Sequence, residues 1–278
     1  MERGPLVSRL IEILVHFVPT LKNQAEAFSS DYNAQRTLLR GLMNMHSVKD
    51  QLPDEFFSLQ DQLLSDELSD KKLVTINDTE KSKISPNIFL YRGDITVFKA
   101  DAIVNAANSA LLGCFQAGHD CIDNCIHSAA GLQLRYECYK IVGDKGVKPG
   151  TATISHAFNL PCRYVIHVVG PKVGYDVTPQ DKETLKSCYT EALKVARKNK
   201  VSSIVFCCVA TGVFGFPNVK AAEIAVETVK TDLEAHGNDL KIVFDVFSDR
   251  DYKAYNVLLN PQEKNDNDLR PHFNINLI

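Results

Sequence analysis

The chain is 278 residues long, 45% hydrophobic and 23% charged, with a formal net charge of −3. That length holds one large domain, or one domain with a helical appendage. The balance offers no basic stripe for generic phosphate-backbone binding, so nucleic acid is not an expected partner, and no apolar run reaches membrane-spanning length.

Residues 5–28 place Leu6, Leu10, Ile13, Leu14, Phe17 and Val18 at a helical period. Glu12, His16 and Pro19 interrupt the apolar part, which reads as a surface helix, with a weak organelle signal as the alternative. Residues 33–45 give a second helix with Leu38, Leu39, Leu42 and Met43 on one side. Pro53 opens a third, in DEFFSLQDQLL, and proline suits a first turn. Residues 1–70 are therefore expected as an N-terminal helical extension capping the main domain. Asp66–Pro86 is rich in Ser, Asp and Lys, and a linker is expected over 71–86.

Over 87–262 short apolar stretches alternate with helical ones. Strands are expected at Ile88–Arg92, Asp101–Val104, Thr151–His156, Tyr164–Val168, Ser203–Val209 and Lys241–Phe247. Helices are expected at Ile122–Ala130, Leu132–Ile141, Lys182–Lys198, Asn218–His236 and Asp251–Leu259. The alternation predicts an α/β fold with a mixed or mainly parallel sheet covered on both faces. The polar tail 263–278 is expected to be loose. Eight cysteines, several inside predicted elements, point to reduced thiols and a cytoplasmic setting.

The chemistry concentrates in Val104–Gly131, where a strand, a polar loop and a helix start follow one another. Cys114, His119 and Cys121 offer three metal ligands with no local fourth, which suits a zinc with an open position. The alternative is two buried thiols and an ordinary loop histidine. Cys125 reads as core. Asp123 suits a helix N-terminus on dipole grounds alone, yet Asn105, Asn108 and the candidate metal loop converge with it. His127 shares its face, to orient it or to pack; His156 and His167 read as core histidines. A second loop, Ala210–Pro217, leaves a buried strand for a helix. Its glycines and free N–H groups make a candidate diphosphate cradle, though plain turns often look alike.

GDIT, DAIVNAAN, IDNxIHxxAG and TGVFGFP, in that order, resemble the macrodomain family. The run Gly113–Arg135 and the helical extension are similar to its zinc-containing members, and the resemblance covers about residues 5–260. It implies a three-layer α/β/α sandwich with a mixed central sheet. It also implies ADP-ribose binding and, as in hydrolytic members, removal of mono-ADP-ribose from proteins at the anomeric carbon of the distal ribose. Carried over, Asp94 accepts from the adenine amino group and the Ile95 N–H helps hold the base. Asn105 and Asn108 match NAAN, with Asn108 on the distal ribose; Asp123 matches the acidic catalytic residue. Cys114, His119 and Cys121 match the zinc ligands. Thr211, Gly212, Val213, Phe214 and Gly215 match the diphosphate loop, and Phe247 stands where an aromatic packs on adenine. The chain departs from the pattern at Ala117, Gly118 and Ala210. The implied partners are ADP-ribose and a mono-ADP-ribosylated protein, for a monomer with no membrane association. A non-catalytic ADP-ribose reader, or a hydrolase of a small ADP-ribose derivative, stays open as an alternative.

Overall fold

A computed structural model describes residues 3–17 and 30–262. The expected first helix beyond residue 17 and the tail 263–278 lie outside the described residues. The helices are α1 Arg3–Phe17, α2 Tyr32–Met45, α3 Asp54–Ser69, α4 Ile122–Ala130, α5 Leu132–Val142, α6 Pro179–Lys198, α7 Asn218–Ala235 and α8 Asp249–Leu259. The strands are β1 Glu80–Lys81, β2 Ile88–Arg92, β3 Ala102–Ala106, β4 Ala152–His156, β5 Tyr164–Val168, β6 Ser203–Phe206 and β7 Lys241–Val246.

The strands form one mixed sheet in the order β1-β2-β7-β6-β3-β5-β4. The inner pairs run parallel, whereas β1 and β4 close the two edges antiparallel. Ala102–Asn105 of β3 are all buried, as a central strand covered on both faces requires. Helix α4 packs on β3, α5 and α6 pack on β4, and α8 packs on β2 and β7. The expected α/β sandwich is what forms.

Several boundaries moved for local reasons. Helix α6 starts at Pro179 and not Lys182, because Thr178 and Asp181 form a reciprocal capping box ahead of it. Strand β3 extends to Ala106, which takes Asn105 out of the loop and into the sheet. The stretch expected as a linker contributes the edge strand β1, and Val74 bridges Phe98. The start of that Ser-, Asp- and Lys-rich stretch, residues 66–69, is the last turn of α3, which runs to Ser69.

The apolar interior falls into two clusters. The larger surrounds the sheet, with Val104, Ile166, Val205 and Phe244 fully enclosed. The smaller belongs to α1–α3, with Leu10, Leu14, Leu39 and Phe56, and admits Leu132 from α5. The extension thus has a core of its own, sealed onto the sandwich through α5.

Candidate active site

In parallel α/β sheets ligands sit beyond the carboxyl ends of the strands. Here the ends of β2, β3, β6 and β7 open onto a cleft of about 1380 Å³. It is lined by Asp94 and Ile95 after β2, Asn108 and residues 113–123 after β3, Cys208 and residues 210–214 after β6, and Phe247 after β7. Arg36 and Arg40 of α2, with Leu64, Glu67 and Leu68 of α3, form a further wall.

Asp123 stands in the first turn of α4 and is 5% exposed. Its Oδ1 accepts from Asn105 Nδ2 at 2.8 Å and its Oδ2 from Asn108 Nδ2 at 3.3 Å. Burial raises its pKa to about 6, against the Asn105 hydrogen bond and the Arg135 charge. Asn108 is itself fixed, donating to Gly113 O at 2.9 Å and accepting from Ala110 N at 3.0 Å. Asn105, the other asparagine of the motif, lies behind Asp123. It is fully buried in β3, is not among the residues lining the cleft, and holds Asp123 from behind.

Behind Asn105 stands His167. Asn105 Nδ2 lies 3.2 Å from His167 Nδ1, and Ser155 Oγ lies 2.9 Å from Nε2. An amide nitrogen only donates, so Nδ1 accepts and Nε2 carries the proton. Cys138 Sγ is 3.5 Å from that Nε2, and with His127 these groups cluster in the core. The protonated Nε2 leaves this cluster short of a lone pair for a metal. His127 is neutral too, its pKa held well below 6.5 by burial and by His167 and Arg135. It fills the space under Gly113, where a Cβ would lie 2.8 Å from the ring; with φ +78° there, only glycine fits comfortably.

Burial lowers the His167 pKa to about 3. Between about pH 6.5 and 3 the unfolded chain therefore binds a proton here that the folded one excludes, and this contribution to stability is lost as pH falls. Asp123 and Asp245, with raised pKa values, act in the opposite direction. A comparison with His167→Gln cancels them. Urea unfolding at pH 7.5 and 5.0 should show the variant gaining about 2 kcal/mol relative to the parent at the lower pH. A difference independent of pH would mean that His167 titrates normally.

The ligand atoms of Cys114, His119 and Cys121 lie within 4.8 Å of one another. Cys114 Sγ and His119 Nδ1 are 3.5 Å apart, the separation of two ligands on a tetrahedral zinc. Two thiols and an imidazole are a donor set that suits that ion. Cys121 caps α4 by accepting from Asn124 N at 3.4 Å. Burial first, then Cys114 and Asp123, raise its thiol pKa to about 11 against that bond. The residues present fit a zinc ion. Cys125 falls outside the trio.

On the other side of the cleft, the loop after β6 is held by Gly215 N to Gly212 O at 2.9 Å and Phe216 N to Ala210 O at 2.9 Å. The N–H groups of Thr211, Gly212, Val213 and Phe214 donate to no acceptor among the described residues. Gly215 (φ +72°) shapes this turn without lining the cleft. Ala210 takes φ +65°, and a Cβ on Gly170 would lie 2.8 Å from its own. Asp94 caps a short turn, its Oδ1 accepting from Thr96 N at 2.9 Å and Thr96 Oγ1 at 2.6 Å, while the Ile95 N–H has no acceptor among the described residues. Phe247, 81% exposed, stands at the rim.

Two contributions have no local sequence signal. One is the α2–α3 wall, which reaches the loop from some eighty positions away. The other is Asp245, hidden in the apolar run of β7. It lines the cleft with a buried Oδ1 that has no hydrogen-bond partner among the described residues, and burial with Asp94 nearby holds its carboxyl well above the usual range.

Residues 104–225 match the family model described as Macro domain. A "Protein-ADP-ribose hydrolase" of Staphylococcus aureus (strain MSSA476) is 43% identical over 243 residues, 86% of this chain and 90% of that protein. A protein of the same name from Treponema medium is 45% identical over 233 residues, 82% of this chain and 89% of that protein. Among solved structures, the Trypanosoma brucei macrodomain in complex with ADP-ribose superposes with a TM-score of 0.60 at 32% identity. It covers 75% of this chain and 91% of its own.

Proposed function

The chain belongs to the macrodomain family, and from that premise we propose that it is a hydrolase releasing mono-ADP-ribose from modified proteins. The bond cut is the one at the anomeric carbon of the distal ribose. One observation carries this reading. The Asp123 carboxylate, held by two amides, lines the same cleft as the unpaired main-chain N–H groups of Thr211–Phe214. Relatives named for the hydrolysis of protein-linked ADP-ribose, and one solved with ADP-ribose bound, support it.

In this reading the adenine lies against Asp94 and the Ile95 N–H, with Phe247 over its face. The diphosphate rests on the Thr211–Phe214 amides, where donors and helix dipole favour negative charge. The distal ribose then reaches Asn108 and Asp123. Water adds to the anomeric carbon as the bond from that carbon to the protein side-chain oxygen breaks; Asp123 takes the water's proton and passes it to the departing oxygen. The transition state carries oxocarbenium-like charge. A carboxylate with a pKa near 6 is a better base than an ordinary aspartate and is still ionised at neutral pH. Cys114, His119 and Cys121 would hold zinc, which supplies a Lewis acid beside the sugar.

The test is release of free ADP-ribose from a mono-ADP-ribosylated protein, beside calorimetric titration with ADP-ribose. Release is the expected result; tight binding without release would establish a reader instead. Dialysis against a chelator is expected to remove about one zinc per chain and slow release, with recovery on adding zinc back. A stripped protein that works at full rate would separate the metal from the reaction.

A further inference from the structure

We infer that Arg40 and Asn44 of α2 are positioning residues for the metal loop, so that the helical extension is a working part of the metal site. The inference rests on the reading that Cys114, His119 and Cys121 take zinc.

The loop has little to hold it from within. Residues 115–118 are exposed. Its own ties are His119 N to Gln116 O at 3.2 Å and the Asn124 side chain to Cys114 O and Gln116 O. Three ligands on so loose a segment would sample many separations, each costing ordering entropy when metal binds. Helix α2 supplies the missing restraint. Asn44, 2% exposed, accepts from Gly118 N at 3.0 Å and donates to Ser128 Oγ on α4 at 3.1 Å. Arg40 Nη2 donates to His119 O at 3.1 Å, the peptide oxygen of the imidazole ligand. It also reaches Asn124 Oδ1 at 3.1 Å and Asp120 Oδ1 at 3.3 Å. These acceptors bracket Cys121. Positions 40 and 44 share one helix face, and between them Gly41 faces the loop, with room for a Cβ at ordinary contact distance, 3.5 Å, from Ala117 Cβ.

The helix itself is anchored on the sandwich. Arg135 Nη1 on α5 donates to Met43 O and Asn44 O. The restraint therefore runs from α5 through α2 to the loop and back to α4. Hydrogen bonds that orient metal ligands from outside are worth about 10–100-fold in metal affinity.

Asn44→Ala, Arg40→Gln and the double variant of the full chain test this with two readouts. Zinc affinity is measured by competition with a chromophoric chelator. Amide hydrogen exchange over residues 113–121 is measured on the chelator-stripped protein, with β6 as the fold control. Zinc binding should weaken by about 10–100-fold in the double variant. Loop exchange should quicken by about tenfold while β6 stays protected. Loop exchange identical to the parent overturns the inference; so does faster exchange with zinc affinity unmoved. If the double variant loosens β6 as well, Asn44→Ala alone decides. A parent protein that takes up no zinc sinks the metal reading, and the exchange readout then decides by itself whether α2 holds the loop.

Discussion

Asp123→Ala is expected to slow ADP-ribose release by about 100-fold or more, with ADP-ribose affinity falling much less. The carboxylate is the one ionisable oxygen pair that both asparagines of the strand end address. In the proposed reading affinity rests elsewhere, on the amides of Thr211–Phe214 and on the far end of the cleft. Stability should not suffer, because a buried carboxyl with its pKa raised to about 6 costs folding energy at neutral pH. Asp123→Asn adds a sharper comparison. It keeps the shape but cannot take a proton, so it should be as slow as the alanine variant. Single-turnover release by both variants, beside calorimetry with ADP-ribose, gives the answer. An asparagine variant near parental speed would reduce Asp123 to a group that merely orients water or ribose.

Arg135→Met should be the most damaging single change away from the chemistry. Arg135 is 2% exposed, and its Nη1 donates to Met43 O at 3.0 Å, Asn44 O at 2.9 Å and His46 O at 2.7 Å. These carbonyls lie at the end of α2, where His46 is extended (φ −63°, ψ 133°) and no glycine closes the helix. The guanidinium also lies 4.4 Å from the centre of the Phe115 ring. Burial lowers its pKa to about 10, with Asp123 opposing. Methionine keeps much of the length and strands the carbonyls in the interior. A loss of about 3–5 kcal/mol is expected, or roughly 6–15 °C in Tm, read by calorimetry. A shift under about 2 °C would mean that the carbonyls find water.

What could be seen in the sequence was what chemistry writes locally. The apolar run from Ile204 announced a buried strand, although that strand ends at Phe206 and not at Val209. The cluster of Cys114, His119 and Cys121 was legible because groups on one loop are close in sequence as well as in space. Strand β1 was not, since Glu80 and Lys81 are exposed and polar; only their pairing with Phe89 and Leu90 makes them a strand. Asn105 was placed beside Asn108 by motif, yet strand alternation and pairing with β5 turn it inward toward His167. Arg40, Asn44 and Arg135 could not be found at all. Their partners lie eighty to ninety positions away, and a polar residue on a helix otherwise reads as solvated surface.

The amides of Thr211–Phe214 belong to the main chain, so no single side-chain replacement deletes them. Systematic alanine scanning would pass over this loop and understate its worth. Only a proline, which removes a donor, or a change that unbends the turn at Ala210 or Gly215 would reach it. Recognition of this kind carries no titrating group. It should vary little between pH 6 and 9 and resist reagents that modify lysine or arginine. Sequence drift can therefore alter the lips of such a cleft long before it alters the grip.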